Sequence, residues 1–226
     1  SHLFIQPHPR LAFEINKIKK VINRGKWLTL AGVMQYFFQN GDNIVVGKLL
    51  GSGQLGLYDM AYKISILPIT EVSDVFGKVT FPAYTQIQSD RPRLKIAFYK
   101  TVLGISILVI PIGLLLFTFS AQIVLLFLGE KWISIIEVLK LLSIFAIIRA
   151  IYGSLGALFL AVKKQEYLTM LTLINILGLA IPIVPLVHKY GIIGAAIAAM
   201  IGQIAAIPLA IYYLNKVFKP SHEITH

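Results

Sequence analysis

Apolar blocks of roughly 20 residues recur along the chain and constrain its fold more than any other feature. A helix of that length covers about 30 Å, the thickness of the hydrocarbon core of a bilayer. Of the 226 residues, 57% are hydrophobic, against about 45–50% in soluble domains. Because lipid offers no hydrogen-bonding partner to backbone groups, such blocks must be helical. The sequence therefore predicts an all-α, polytopic membrane protein.

Six of these blocks predict a bundle of six transmembrane helices. Their approximate bounds are residues 27–50, 57–81, 101–119, 133–161, 167–187 and 191–214. The predicted six-helix lobe thus covers residues 27–215. We expect a basic cytoplasmic connector before it, at residues 1–26, and a cytoplasmic tail after it, at residues 216–226.

Basic residues alternate between the two sides of these predicted spans. Fifteen lie in four segments: before the first span, between the second and third, between the fourth and fifth, and after the sixth. Only three lie in the other connecting segments. Since positive residues favour the cytoplasmic side, both termini are predicted to be cytoplasmic. The same distribution explains the net charge of +11 without a nucleic-acid partner.

The first predicted span carries a polar stripe on an otherwise apolar helix. At 100° per residue, an arc of about 100° contains the side chains of the stripe: Gln35, Gln39, Asp42 and Asn43. Amides of this kind can simply bond neighbouring helices, for about 0.6–2 kcal/mol each. A carboxylate inside a membrane costs about 2.5–3.5 kcal/mol on insertion scales, so Asp42 is expected to face a water-filled cavity or a partner charge.

Three more charged residues are candidates for the same cavity. Lys63 and Asp74 share one side of the second predicted span, although Lys63 can also pair with Asp59, four residues before it. Arg149 lies near the centre of the fourth predicted span. It either neutralises a buried acid such as Asp42 or contacts an anionic group, because a guanidinium matches the geometry of phosphate and carboxylate.

The sequence lacks the motifs of several other functional classes. It has no phosphate-binding G-x-x-x-x-G-K-[ST] loop, no helix-spaced cluster of metal ligands and no G-x-S-x-G elbow. We therefore expect no cofactor, no metal ion and no enzymatic activity. In the sixth predicted span, small residues recur at four-residue spacing and predict a close-packing face: Gly194, Ala198, Gly202 and Ala206.

Four stretches resemble bacterial polysaccharide flippases of the Wzx and teichuronic-acid-exporter type. These belong to the multidrug/oligosaccharidyl-lipid/polysaccharide (MOP) superfamily. The most specific stretch is DNIVVGKLLGSGQLGLYDMAYKI, at residues 42–64. The others are PRLAFEINKIKKVINRGKW at 9–27, FPAYTQIQSDRPRLKIAFYK at 81–100 and IVLLFLGEKW at 123–132.

This resemblance implies a fold, a location and a substrate. The chain would correspond to the C-terminal six-helix lobe of a twelve-span transporter in a bacterial or archaeal cell (inner) membrane. The missing N-terminal lobe, or a second six-helix unit, would be needed for transport. The substrate would be an isoprenoid-pyrophosphate-linked oligosaccharide, with its lipid tail in contact with membrane lipid, Arg149 or Lys63 on the pyrophosphate, and amides and carboxylates on the sugar hydroxyls.

Two alternatives remain open from the sequence. A drug or cation antiporter of the same superfamily would rely on compact acidic and aromatic contacts. A membrane scaffold that transports nothing would have no need of charges directed into the bundle.

Overall fold

A computed structural model describes the backbone of residues 15–219 and the side chains of residues 40–219. The chain divides into two compact units, Ser1–Gly41 and Asp42–His226. The described part of the first unit is the beginning of a helix. The second unit holds every side-chain contact discussed below.

The described residues form helices and the turns between them, without a strand. The elements are α1 (Ile15–Gln86), α2 (Arg91–Thr118), α3 (Ser120–Phe127), a short 3-10 helix (Glu130–Ile135), α4 (Ile136–Ala161), α5 (Gln165–Tyr190) and α6 (Ile192–Phe218). The predicted all-α fold class is therefore confirmed for this part of the chain.

The first two predicted spans lie in a single long element, α1, which is interrupted at Gly51. This residue has φ 83° and ψ 174°, outside the helical range. Glycine tolerates a positive φ because it has no Cβ to collide with the backbone. The break falls where the sequence predicted the connection between the two spans.

Three of the described helices, α2, α5 and α6, are long and apolar enough to cross a membrane. They correspond to the third, fifth and sixth predicted spans. The predicted total of six spans is not confirmed. The other three predicted spans, which carry Asp42, Lys63 and Arg149, lie in α1 and α4.

The outer surface of α2 and α5 is strongly apolar. On α2, Leu103, Ile107 and Leu114 are between 54% and 62% exposed, and on α5 Ile181 is 76% exposed. Leucine and isoleucine side chains displayed in this way have a favourable environment in lipid tails. Together with the length of these helices, this supports an integral membrane protein.

The helices α5 and α6 pack at close range through small residues. A Cβ added to Gly178 of α5 would lie 2.8 Å from the Cα of Gly202 on α6. Gly194, Ala198 and Ala206 of α6 are also buried. The predicted close-packing face of the sixth span is therefore confirmed.

Two serines attach the second part of α1 to α4. The hydroxyl of Ser65 donates to the carbonyl oxygen of Leu139 at 3.2 Å, and that of Ser73 donates to the carbonyl oxygen of Ala150 at 2.9 Å. These bonds fix how α4 is rotated against α1. Arg149 is adjacent to one of the two attachment points.

Candidate functional site

Asp42 is a buried carboxylate with two hydrogen-bond donors. Its side chain is only 7% exposed. The hydroxyl of Tyr58 donates to Oδ2 at 2.8 Å, and the backbone N–H of Asn43 donates to Oδ1 at 2.8 Å. A carboxylate removed from water requires such partners. The predicted role of Asp42 in lining a water-filled cavity remains a prediction.

Arg149 reaches from α4 to α1. Its Nη1 donates to the hydroxyl oxygen of Tyr62 at 2.9 Å, and its Cζ lies 5.8 Å from the centre of the Phe145 ring. The Arg149 side chain is half-buried. Since a guanidinium has five N–H donors and the Tyr62 bond uses one, others are available to a further acceptor.

Tyr58 and Tyr62 connect the two charged groups. They lie four residues apart on α1, so they project from the same face of the helix, and their ring centres are 6.4 Å apart. We name Asp42, Tyr58, Tyr62 and Arg149 together the Asp42–Arg149 cluster. Among the described side chains, each of the two charged groups bonds a tyrosine hydroxyl, and the two do not form a direct ion pair.

Sequence reasoning missed the two tyrosines. Their signal was present, because both lie in the stretch at residues 42–64 that carries the family resemblance. Tyr58 is fully buried, and a buried tyrosine hydroxyl usually finds a partner. The predicted site contained only charged and amide side chains and did not include the hydroxyls of Tyr58 and Tyr62.

Lys63 and Asp74 lie outside the Asp42–Arg149 cluster. Lys63 Nζ pairs with Asp59 Oδ2 at 2.7 Å, with the two side chains 58% and 40% exposed. This is the local pair that the four-residue spacing allowed. The Asp74 side chain is exposed. A role for Lys63 and Asp74 in lining a cavity remains a prediction.

The amides of the predicted stripe are only partly visible. Asn43 is half-buried, and its Oδ1 is buried without a hydrogen-bond partner among the described residues. The side chains of Gln35 and Gln39 lie outside the described residues, so their predicted roles stay predictions. In the part of the chain that the structure describes, no group of three His, Cys, Asp or Glu residues is placed to hold a metal ion.

Comparison with known protein families gives a clear result. A family model described as "Polysaccharide biosynthesis protein" matches residues 1–137. The chain belongs to this polysaccharide biosynthesis family. The match includes Asp42, Tyr58 and Tyr62 of the Asp42–Arg149 cluster, and Arg149 follows it on α4.

Curated relatives of this chain are named for the biosynthesis of lipopolysaccharide, teichuronic acid or glycan. The chain is 32% identical to the lipopolysaccharide biosynthesis protein WzxC of Escherichia coli K12, over 70% of this chain and 32% of WzxC. It is 23% identical to the teichuronic acid biosynthesis protein TuaB of Bacillus subtilis, over 70% of this chain and 33% of TuaB. It is 22% identical to the protein named probable low-salt glycan biosynthesis flippase Agl15 of Haloferax volcanii, over 87% of this chain and 42% of Agl15.

The chain covers only part of the length of each of these relatives. The chain spans between about a third and two fifths of the three relatives. No solved structure matches the chain. The family membership therefore comes from sequence, and the geometry of the Asp42–Arg149 cluster comes from the present structure.

Proposed function

We propose that this chain is part of a flippase that moves a lipid-linked oligosaccharide across a bacterial or archaeal cell (inner) membrane for surface polysaccharide synthesis. The observation that carries the proposal is the Asp42–Arg149 cluster, in a chain whose relatives are named for polysaccharide biosynthesis. A buried carboxylate and a half-buried guanidinium are costly in a membrane, and residues of this kind usually face the interior of a bundle or a water-filled path. Their chemistry favours transport over catalysis.

The substrate we propose is an oligosaccharide linked to an isoprenoid through pyrophosphate. Arg149 has unused N–H donors and would bind the pyrophosphate, since guanidinium and phosphate match in charge and geometry. Asn43, whose side chain is half-buried beside Asp42, would add an amide to the polar path. We also assign Gln35, Gln39, Lys63 and Asp74 to the polar path, as the sequence predicts.

A complete path needs more than this chain. We propose that residues 27–215 form one six-span lobe with both termini cytoplasmic, and that a second six-helix unit provides the facing wall. The partial coverage of the relatives supports this arrangement. The isoprenoid tail would remain in membrane lipid, in a gap between the two units.

The test replaces Arg149 in the chromosomal gene that encodes this chain. Arg149→Ala is expected to reduce surface polysaccharide at least tenfold, because removing a charged hydrogen bond costs about 1.5–3 kcal/mol. Arg149→Lys keeps the charge and should retain part of the export. Lys140→Ala on the same helix is the matched control, since Lys140 pairs locally with Glu137 at 2.8 Å. Normal polysaccharide with a normal amount of Arg149→Ala protein would refute the role of Arg149.

Accessibility measurements separate a transporter from a scaffold. The chain contains no cysteine, so a single Asn43→Cys variant reacts with thiol reagents at one place only. We expect a membrane-impermeant reagent to modify it. An unreactive Asn43→Cys in folded protein would favour a dry, structural interior. Drug resistance conferred without any change in polysaccharide would instead favour the antiporter.

A further inference from the structure

A second polar site lies away from the Asp42–Arg149 cluster. The beginning of α2, the turn between α4 and α5, and the end of α6 border a half-open cavity of about 240 Å³. Four cationic side chains and one tyrosine line it, together with two valines: Arg91, Lys164, Tyr167, Lys216 and Lys219. We name it the basic cavity. None of its residues belongs to the Asp42–Arg149 cluster.

Two of the cations converge on one aromatic ring. The Nζ atoms of Lys164 and Lys216 each lie 5.8 Å from the centre of the Tyr167 ring. Tyr167 itself is 7% exposed and stacks on Tyr213, with ring centres 4.1 Å apart and planes within 4°. The ring is therefore a fixed platform. Each of the two ammonium groups interacts with it as a cation with an aromatic ring.

Arg91 adds a buried donor without a partner. Its Nη1 is inaccessible to solvent and has no hydrogen-bond partner among the described residues. Leaving such a donor unsatisfied costs about 1–3 kcal/mol, and more when the group is charged. Because the Arg91 side chain also lines the basic cavity, a rotation of the guanidinium would bring this donor to an oxygen acceptor there and remove that cost.

Among the described residues, Glu166 interacts electrostatically with both Lys164 and Lys216. Glu166 Oε1 lies 3.4 Å from Lys164 Nζ, and the two side chains are 57% and 48% exposed. An exposed pair of this kind is weak. It leaves Arg91, Lys216 and Lys219 without an ion pair in the described structure.

The general excess of basic residues on one membrane side does not explain this arrangement. Topology requires only that lysines and arginines be numerous on the cytoplasmic side. It does not require that their side chains gather around one cavity, or that one guanidinium nitrogen be buried and unpaired. Those two features are typical of a site for an anion.

We propose that the basic cavity binds a phosphate group. The tetrahedral dianion or diester would accept hydrogen bonds from Arg91 Nη1 and from the ammonium groups of Lys164 and Lys216, each strengthened by charge. Two sources present this chemistry: the head group of an anionic membrane lipid, and a soluble phosphate or pyrophosphate. The proposal does not depend on the flippase function, because binding is measured without transport.

The experiment has one arm for each source. The whole chain is purified in a zwitterionic detergent. In the first arm, native mass spectrometry counts phosphatidylglycerol molecules retained against phosphatidylcholine. In the second arm, equilibrium dialysis measures radiolabelled inorganic phosphate and pyrophosphate without added lipid. Each arm compares the unaltered chain with Arg91→Gln, Lys164→Gln and Lys216→Gln variants.

Lys100→Gln is the matched control, because it removes the same charge from an exposed position nine residues after Arg91, on the opposite face of α2. We expect binding in at least one arm, with an affinity about tenfold lower in the Arg91 and Lys216 variants. The Lys100 variant should bind as the unaltered chain does. Retained lipid identifies a head-group site, and dialysis binding identifies a soluble phosphate.

Two results would overturn the proposal. One is an unaltered chain that binds in neither arm. The other is binding that the Lys100 variant loses as much as the Arg91 and Lys216 variants, which would mean attraction to net charge alone. Lys216 is exposed, so binding by the Lys216→Gln variant can be measured even if Arg91→Gln fails to fold.

Discussion

The sharpest test of the Asp42–Arg149 cluster is the removal of one hydroxyl group by Tyr58→Phe. Tyr58 is fully buried and donates to Asp42 Oδ2 at 2.8 Å. Phenylalanine keeps the ring and its packing, but leaves Oδ2 without that donor. An unsatisfied buried acceptor costs about 1–3 kcal/mol, towards the upper end for a carboxylate. At about 2–4 °C per kcal/mol for a chain of this size, the melting temperature should fall by about 5–10 °C.

Tyr62→Phe, one helical turn further on, is the matched control. It removes the acceptor of Arg149 Nη1, but both side chains are only half-buried, so water can replace the lost hydroxyl. We expect a cost of about 0.5–1.5 kcal/mol. Asp42→Asn combined with Tyr58→Phe should cost less than the sum of the two single changes, with a coupling of about 1–2 kcal/mol.

The assay is thermal unfolding of the purified chain in detergent micelles, followed by tryptophan fluorescence at one fixed scan rate. A fixed rate is needed because unfolding of such proteins is often irreversible and the apparent midpoint then depends on the rate. A Tyr58→Phe variant that melts within about one degree of the unaltered chain would show that the Tyr58–Asp42 bond contributes no stability. A larger fall in the midpoint for Tyr62→Phe than for Tyr58→Phe would contradict the difference in burial between the two bonds.

Glycine substitutions test the packing around these sites in the same thermal assay. Gly178→Ala should cost about 1–3 kcal/mol, since its Cβ would lie 2.8 Å from the Cα of Gly202. Gly156→Ala, with nothing within 4 Å of its Cβ, should be neutral or gain about 0.4–1 kcal/mol. Gly51→Ala should cost about 1–2 kcal/mol because its φ is 83°, whereas Gly53→Ala should not. Equal melting midpoints for Gly178→Ala and Gly156→Ala would contradict the packing argument. Equal midpoints for Gly51→Ala and Gly53→Ala would contradict the argument from backbone conformation.

Hydropathy predicted the apolar helices well but not where they begin. The third predicted span starts near residue 101, whereas α2 begins at Arg91. Asp90 caps this helix, because its side chain accepts from the backbone N–H of Arg93 at 3.0 Å. The first turns of α2 are basic and lie outside the apolar block. Hydropathy marks the part of a helix that suits lipid, while capping residues mark its start.

The grouping of Asp42 and Arg149 in one cluster could be foreseen only in outline. Each charge required a partner, and the sequence offered each as a candidate for the other. Which side chains lie between them depends on the rotation of α4 against α1, which the Ser65 and Ser73 bonds set. Those bonds join residues more than 70 positions apart, and helical periodicity within one span carries no information about them.

The two tyrosines matter for the proposed transport because they leave Arg149 without a direct ion pair to Asp42. A buried ion pair is costly to break, at about 3–5 kcal/mol when one partner is lost. The bond from Arg149 Nη1 to the Tyr62 hydroxyl has one charged partner and contributes about 1.5–3 kcal/mol. In the proposed transport, a phosphate that approaches Arg149 would displace this weaker partner, and Tyr62 would accept from the guanidinium again when the phosphate leaves. A direct Asp42–Arg149 ion pair would oppose such an exchange.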